Sequence, residues 1–381
     1  MPLPFARPVP VLHVTDSLDI GGAERVAVSI ANELPLPYVS HLCATRKRGP
    51  LMEEIKPHVH LLELHRKHRY DFRALLLLRR YIIRNRIALV HAHSSSLFIS
   101  AFATRLTRVR IIWHVHRGSL AGRRYGLLPY RLVKHLTDGI ISVNEVLSLW
   151  VREFLGVSAN KIWYIPNFVQ SGYSMPAQES WLPGTPGKRI VCVANLRAQK
   201  DHLSLIDAMA HVVIQVPDAH LILVGSLHDS AYVANVQQRI TEHGLGNNVS
   251  FMGQRRPQAL LAGCDIGVLS SVSEGLPLAL LEYGAARLAA VATAVGQCPE
   301  VLDGGSAGLL VPPRSPDLLA QALIALLKSP DKRRELGDRF YERVQALYST
   351  EAVIGRICDV YQAVLENRVI PRTRVTCQGS E

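Results

Sequence analysis

Several short stretches of this chain carry the residue types that handle phosphates and hydroxyl groups. In Ser273-Glu274-Gly275-Leu276-Pro277-Leu278-Ala279-Leu280-Leu281-Glu282, an acidic residue sits in a loop ahead of a glycine. Pro277 then suits the first position of a helix. The second glutamate, Glu282, falls inside that helix among Leu, Ala and Gly, where a carboxylate is costly unless hydroxyls or a cation satisfy it. A vicinal diol such as that of ribose would occupy both of its oxygens. Arg197 and Lys200 lie in Val193-Ala194-Asn195-Leu196-Arg197-Ala198-Gln199-Lys200-Asp201, directly after a strand that begins at Arg189. Cations there neutralise phosphates and stabilise a departing diphosphate. They also oppose the dipole of the helix that follows, so a ligand anion accounts for them better than a solvated loop does.

Gly21-Gly22-Ala23-Glu24 follows the first strand and opens a helix, a place where backbone N–H groups approach an anion. It is not G-x-G-x-x-G, so it does not read as a dinucleotide fingerprint. Histidines recur in His91-Ala92-His93 and in Trp113-His114-Val115-His116-Arg117-Gly118. A metal site needs a third ligand, and no carboxylate accompanies either pair. Within each pair the two side chains are expected on opposite faces of their strand. That expectation leaves core histidines and one hydrogen-bond donor, His116, rather than a metal centre.

These residues need elements to position them. The first half alternates apolar strands with helices: strands at Val9–Val14, Ala88–His91, Arg110–Val115 and Gly139–Val143, and helices at Ala23–Leu34 and Phe72–Asn85. The second half repeats the alternation, with strands at Arg189–Ala194, His220–Val224, Val249–Met252, Ile266–Leu269 and Ala289–Ala292. Such alternation implies α/β architecture with doubly wound parallel sheets, whose ligands lie at the carboxyl ends of the strands. The spacing predicts a first domain over 1–172, a Ser/Pro/Gly-rich linker over 173–188 and a second domain over 189–349. A terminal helix at 350–368 joins the first domain, and a loose tail follows at 371–381.

Composition narrows the class. The chain has 381 residues, of which 48% are hydrophobic and 19% charged, so a disordered or collagen-like protein is excluded. Aromatics, at 6%, are too sparse for a stacking platform along single-stranded nucleic acid. The net charge of +12 is unevenly placed: residues 1–180 hold 24 Lys+Arg against 12 Asp+Glu, and residues 181–381 hold 19 of each. The first half is therefore expected to meet something anionic. Its cations crowd into Arg66, Lys67, Arg69, Arg73, Arg79, Arg80, Arg84 and Arg86, then Arg105, Arg108, Arg110, Arg123, Arg124, Arg131 and Lys134. An anionic membrane surface or a lipid-linked partner fits this pattern, and no nucleic-acid recognition motif accompanies it. Six scattered cysteines without a C-x-x-C pair fit a reducing compartment. The sequence carries no signal peptide or membrane span, so a cytoplasmic protein is expected, peripheral on the inner face of the plasma membrane at most.

Taken in order, these motifs resemble the retaining glycosyltransferases of family 4, nucleotide-sugar-dependent enzymes with the GT-B fold of two Rossmann-like domains. The resemblance runs from Gly21-Gly22-Ala23-Glu24 through His116 and Arg197…Lys200. It continues through Leu223-Val224-Gly225, Phe251-Met252-Gly253, the Glu274-x7-Glu282 element, and Gly296…Pro299-Glu300…Gly308-Leu309-Leu310-Val311-Pro312. It implies transfer of a sugar from a nucleotide-diphosphate donor to a glycan or lipid-linked acceptor, in surface polysaccharide or glycoconjugate synthesis, without an obligatory metal or other cofactor. Glu282 would then grip the ribose, and Arg197 with Lys200 the diphosphate. Glu274 would contact the sugar, with Gly275, Leu276 and Pro277 beside it. Met252, Gly253 and Gln254 would lie by the base, and His116, Gly21 and Gly22 would complete the site.

The chain departs from the family pattern at Ala194-Asn195-Leu196, where Gly-Arg-Leu is usual, and at Gly296-Gln297, where Gly-Gly is usual. Two other readings compete: a sugar-nucleotide epimerase or inverting transferase on the same fold, and a non-catalytic sugar-nucleotide-binding partner protein.

Overall fold

The computed structural model describes residues 8–116, 128–169, 182–227, 229–255 and 257–367. The expected tail over 371–381, most of the expected linker, and Arg123 and Arg124 lie outside the described residues. The chain divides into two compact units: residues up to Asn167 together with the chain from Val353, and Phe168–Ala352. The division therefore falls ahead of position 172. Val169 is already tied to the second unit, its N–H donating to the Tyr348 carbonyl at 3.0 Å.

In chain order the first unit contains β1 (Val9–Ser17), α1 (Gly22–Glu33), β2 (Tyr38–Lys47), β3 (His60–Glu63), α2 (Phe72–Arg84), β4 (Leu89–His93), α3 (Leu97–Thr104), β5 (Arg110–Val115), α4 (Leu128–Val133), β6 (Gly139–Ser142), α5 (Glu145–Leu155) and β7 (Ile162–Tyr164). Among the described residues these strands form one parallel sheet in the order β3-β2-β1-β4-β5-β6-β7. One face follows the usual rule for parallel strands. Leu12, Val14 and Val90 enter one apolar cluster with Leu78 and Ile82 of α2, and Ile111, Trp113 and Val115 enter another with Leu147 and Val151 of α5. The opposite face carries histidines.

The second unit contains β8 (Arg189–Val193), α6 (His202–Gln215), β9 (His220–Val224), α7 (Ser230–Glu242), β10 (Val249–Gly253), α8 (Pro257–Ala262), β11 (Ile266–Leu269), α9 (Leu278–Ala285), β12 (Ala289–Thr293), α10 (Cys298–Val301), β13 (Leu309–Val311), α11 (Pro316–Lys328) and α12 (Pro330–Tyr348). Its parallel sheet runs β10-β9-β8-β11-β12-β13, the same winding as the first. Here both faces are apolar: Ile190, Leu221, Leu223 and Val268 feed one cluster, and Val191, Ile222, Val224 and Leu269 the other. Each such aliphatic side chain contributes about 1.5–3 kcal/mol on burial, and together they fix the strand ends on which the loops stand.

The last helix, α13 (Thr350–Glu366), returns to the first unit. The Arg356 guanidinium donates to the Tyr164 carbonyl at 2.7 Å, and Tyr361 Oη pairs with His91 Nδ1 at 2.6 Å. Strands β2, β3, β7 and β13 have no counterpart in the sequence reading. β3 and β7 are only four and three residues long, and β2 mixes His, Ser and Thr into its apolar run. Among the described residues no helix is long and apolar enough to cross a membrane.

Candidate functional site

In an open parallel sheet, ligands settle where the strand order reverses, because the loops diverge there and leave a crevice. In the second unit that point lies between β8 and β11. Lys200 follows β8 and Glu274 follows β11, and the structure brings them together: Lys200 Nζ donates to Glu274 Oε1 at 2.5 Å. Ser271 Oγ donates to the same oxygen at 2.6 Å. The Glu274 side chain is 7% exposed and that of Lys200 24%, so the carboxylate is the enclosed partner and the cation reaches outward.

The two loops are laced elsewhere as well. Gln199 Nε2 donates to the Ser273 carbonyl at 2.8 Å, and Ser270 Oγ donates to the Lys200 carbonyl at 2.9 Å. Arg197 is exposed, and its guanidinium has no partner among the described residues. Serines 270 and 271 are missing from the sequence reading. The available signal was a pair of hydroxyls directly after the apolar run Ile266–Leu269, where a strand end enters a site.

Glu282 lies in α9 and is 7% exposed. Pro277 stands at the N-cap of this helix, one place earlier than its expected first position, and its carbonyl accepts from the Leu280 N–H at 3.2 Å. Gly275 accepts from the Gln297 N–H at 3.0 Å. The turn before α10 is built on Gly296, whose φ of +55° and whose contact with the Glu274 and Gly275 backbone leave no place for a side chain. Gln297 has φ −94°, a conformation open to any residue. The second glycine usual at this turn is therefore not required by the backbone. Nor does the absence of Gly-Arg-Leu disturb the β8 loop: Asn195 Oδ1 accepts from the Ser226 N–H at 2.9 Å and ties that loop to the end of β9. Met252, Gly253 and Gln254 close β10, with the Gly253 carbonyl bonded to the Gly225 N–H at 3.0 Å and Gln254 exposed.

In the first unit the sheet reverses between β1 and β4. Gly21 caps α1 and Gly22 begins it, and a side chain at Gly22 would meet nothing within 4 Å. Asp16, at the end of β1, gathers three donors: Ser95 Oγ at 2.5 Å, Thr45 Oγ1 at 2.8 Å and an Arg66 guanidinium N–H at 3.0 Å. Asp16, Ser95 and Arg66 have no place among the sequence-derived site residues, because they come from three separate strand ends.

The histidine expectation is corrected here. His91 and His93 do not point to opposite faces: residues two apart on a strand share a face, and these rings stack with centroids 4.4 Å apart. His114 and His116 also lie together, with ring centroids 4.0 Å apart and the rings tilted by 31°. Register adds His13, which pairs across the sheet with His91, while His93 pairs with His114. His13 Nδ1 meets His93 Nε2 at 3.3 Å, His93 Nδ1 meets His116 Nε2 at 3.0 Å, and His91 Nε2 meets His114 Nδ1 at 3.1 Å. Burial depresses all five: His13 and His116 fall to about 3, and His91, His93 and His114 fall well below the ordinary value. They are neutral at pH 7. His116 is half-buried, at the end of β5, and the other four are buried.

Comparison with known proteins accords with this architecture. Residues 177–343 match the family of glycosyl transferases group 1, and residues 20–172 match glycosyltransferase family 4. Among curated relatives, the N-acetyl-alpha-D-glucosaminyl L-malate synthase of Bacillus anthracis is 30% identical over 181 residues, 47% of this chain and 46% of that protein. A GDP-mannose-dependent monoacylated alpha-(1-6)-phosphatidylinositol monomannoside mannosyltransferase of Corynebacterium glutamicum is 30% identical over 184 residues, 46% of this chain and 47% of the relative. The chain thus spans about half the length of these relatives. Among solved structures, Anabaena HepE in complex with UDP and glucose superposes with a TM-score of 0.78 at 19% identity, covering 93% of this chain and 99% of that one. A glycosyltransferase from Rickettsia africae superposes with a TM-score of 0.77 at 17% identity, covering 94% and 99%. At such identities the likeness establishes the fold, GT-B.

Proposed function

The chain belongs to the group 1 glycosyl transferases of family 4, and from that membership we propose that it is a retaining glycosyltransferase using a nucleotide-diphosphate sugar. The observation that carries the reading is the Lys200–Glu274 pair with Ser271 at the strand-order reversal of the second unit. Breaking a glycosyl-phosphate bond puts negative charge on the diphosphate and positive charge on the sugar. Lys200 and Arg197 meet the first, without a metal at the leaving group, and Glu274 stands beside the second. Glu282 takes the ribose hydroxyls, Leu276 and Pro277 line the sugar, and the Met252–Gln254 turn borders the base. Two donors already engage one oxygen of Glu274, which makes it a poor nucleophile and a good electrostatic partner. In the reaction proposed, the bond from the anomeric carbon to the diphosphate breaks and the acceptor oxygen bonds to the same face. The acceptor proton passes to the departing phosphate.

We place the acceptor with the first unit, with His116, Gly21 and Gly22, and identify it as a glycan or lipid-linked molecule met at an anionic membrane surface. The outer side of α2 supports this. Phe72, Leu76 and Ile83 are 72%, 65% and 59% exposed, and they share one helical stripe with Arg80 between Arg73 and Arg84. Phe102 and Leu106 near α3 are exposed too.

Thermal melting with UDP, GDP, ADP and TDP and their sugar conjugates, with and without EDTA, tests the donor. One nucleotide is expected to raise Tm regardless of EDTA, by mass action. No shift with any of them overturns the assignment. Anomeric configuration of the product, read by NMR, separates retention from inversion and from epimerisation.

A further inference from the structure

A parallel sheet buried on both faces is ordinarily lined with Val, Ile and Leu, because every polar group placed there must find a partner. The first unit breaks this rule most heavily on one face, with five imidazoles from β1, β4 and the end of β5, while His41 of β2 is buried on the other face against Tyr81 of α2. A neutral imidazole has one donor and one acceptor nitrogen. The ring pairs satisfy most of these, yet His13 Nε2 and His114 Nε2 are buried without a partner among the described residues. His114 itself is 2% exposed. One ring nitrogen each from His93, His114 and His116 lies within 4.8 Å of the others.

We propose that His93, His114 and His116 form a binding site for a first-row transition-metal dication of the zinc type, held through three imidazole nitrogens. Imidazole is the ligand these ions prefer, and three histidines leave a fourth position for water. A tetrahedral ion with bonds of about 2.0–2.1 Å needs ligand nitrogens roughly 3.3 Å apart. His93 Nδ1 and His116 Nε2 are already 3.0 Å apart. The surrounding bonds supply the orienting contacts such ligands need on their other nitrogen. With metal on His114 Nε2, the proton on Nδ1 faces His91 Nε2 at 3.1 Å, and His91 is held in turn by Tyr361 at 2.6 Å. With metal on His93 Nδ1, the proton on Nε2 faces His13 Nδ1 at 3.3 Å. His116 coordinates through Nε2 and keeps its Nδ1–H. The alternative trio of His13, His91 and His93 is less suited, because both nitrogens of His91 are held by groups outside it, Tyr361 and His114, and all three rings are buried. The half-buried His116 gives the chosen trio an entry path.

This site is separate from the nucleotide reading and stands or falls by itself. The test uses tag-free, full-length protein stripped with chelator, titrated with Zn2+ alone by calorimetry and, in parallel, with Co2+ for its visible absorption. Wild-type protein is expected to take up one equivalent and to retain it through gel filtration. His114→Gln and His116→Gln are expected to weaken binding at least 100-fold, and His13→Gln about 10–100-fold with stoichiometry preserved. His58→Gln, at an exposed histidine outside the cluster, leaves binding unchanged. If His114→Gln does not fold, His116→Gln at the half-buried edge decides the question. No uptake by wild type, or an equivalent retained in His116→Gln, overturns the proposal whatever the nucleotide panel gives.

Discussion

The two sheets are wound identically, β3-β2-β1-β4 in one and β10-β9-β8-β11 in the other, but they are filled with opposite chemistry. The second buries aliphatic side chains on both faces and sets its Lys200–Glu274 pair in the loops at its reversal point. The first places six depressed imidazoles in its sheet or at a strand end and sets exposed Phe, Leu, Ile and Arg along α2. Topology therefore fixes where a ligand can sit, while side chains alone decide what the sheet beneath it can do.

Acidification breaks the comparison most strongly. Each depressed histidine binds protons more readily in the unfolded chain, so between its folded value and about 6.5 stability rises with pH, and it is lost as pH falls through that window. In chelator-treated protein the first unit, with His13 and His116 near 3 and His41 near 4, is expected to lose several kcal/mol between pH 6.5 and 4. The second unit has His202 near 4 and a more modestly lowered His220, both depressed chiefly by burial. Its loss is smaller. Hydrogen exchange resolved by unit checks this, and equal loss in both units contradicts it.

At the second reversal point, Lys200→Ala is expected to cost about 2–4 kcal/mol of transition-state stabilisation, read from kcat/KM. It also leaves the enclosed Glu274 without its cation, for about 1–2 kcal/mol of stability. Adding Glu274→Gln should recover stability and not turnover. Recovery of both would make the pair structural.

On α2, replacing Phe72 and Leu76 with Ser is expected to reduce sedimentation with phosphatidylglycerol vesicles several-fold while the unfolding free energy stays within about 0.5 kcal/mol of wild type. Added salt should reduce binding of the native chain, and salt-independent binding contradicts the electrostatic part. The smallest effect is at Gly22, where an Ala side chain has open space and should stabilise α1 by about 0.4–1 kcal/mol. A fall in turnover without a fall in Tm would place the Gly22 amide against a ligand anion.

Much of the scaffold was legible in sequence because strand and helix periodicity is local. The runs Arg110–Val115, His220–Val224 and Ile266–Leu269 coincide with β5, β9 and β11. The Glu274-to-Glu282 element lies on one loop and one helix, so its spacing carried its own geometry. The histidines were misread although period two puts His91 and His93 on one face, and no local pattern could add His13, which lies 80 residues from His93.

The sequence by itself determined the α/β alternation, the loops that bear Arg197, Lys200 and Glu274, and the division of charge between halves. Only the tertiary structure decided that Lys200 closes on Glu274 across 74 residues, that Asp16 gathers Thr45, Arg66 and Ser95, and that histidines from β1, β4 and β5 share one face. Periodicity is a property of neighbouring residues. Strand order and register are set by how whole faces are buried, and they bring together side chains that no short stretch of chain contains.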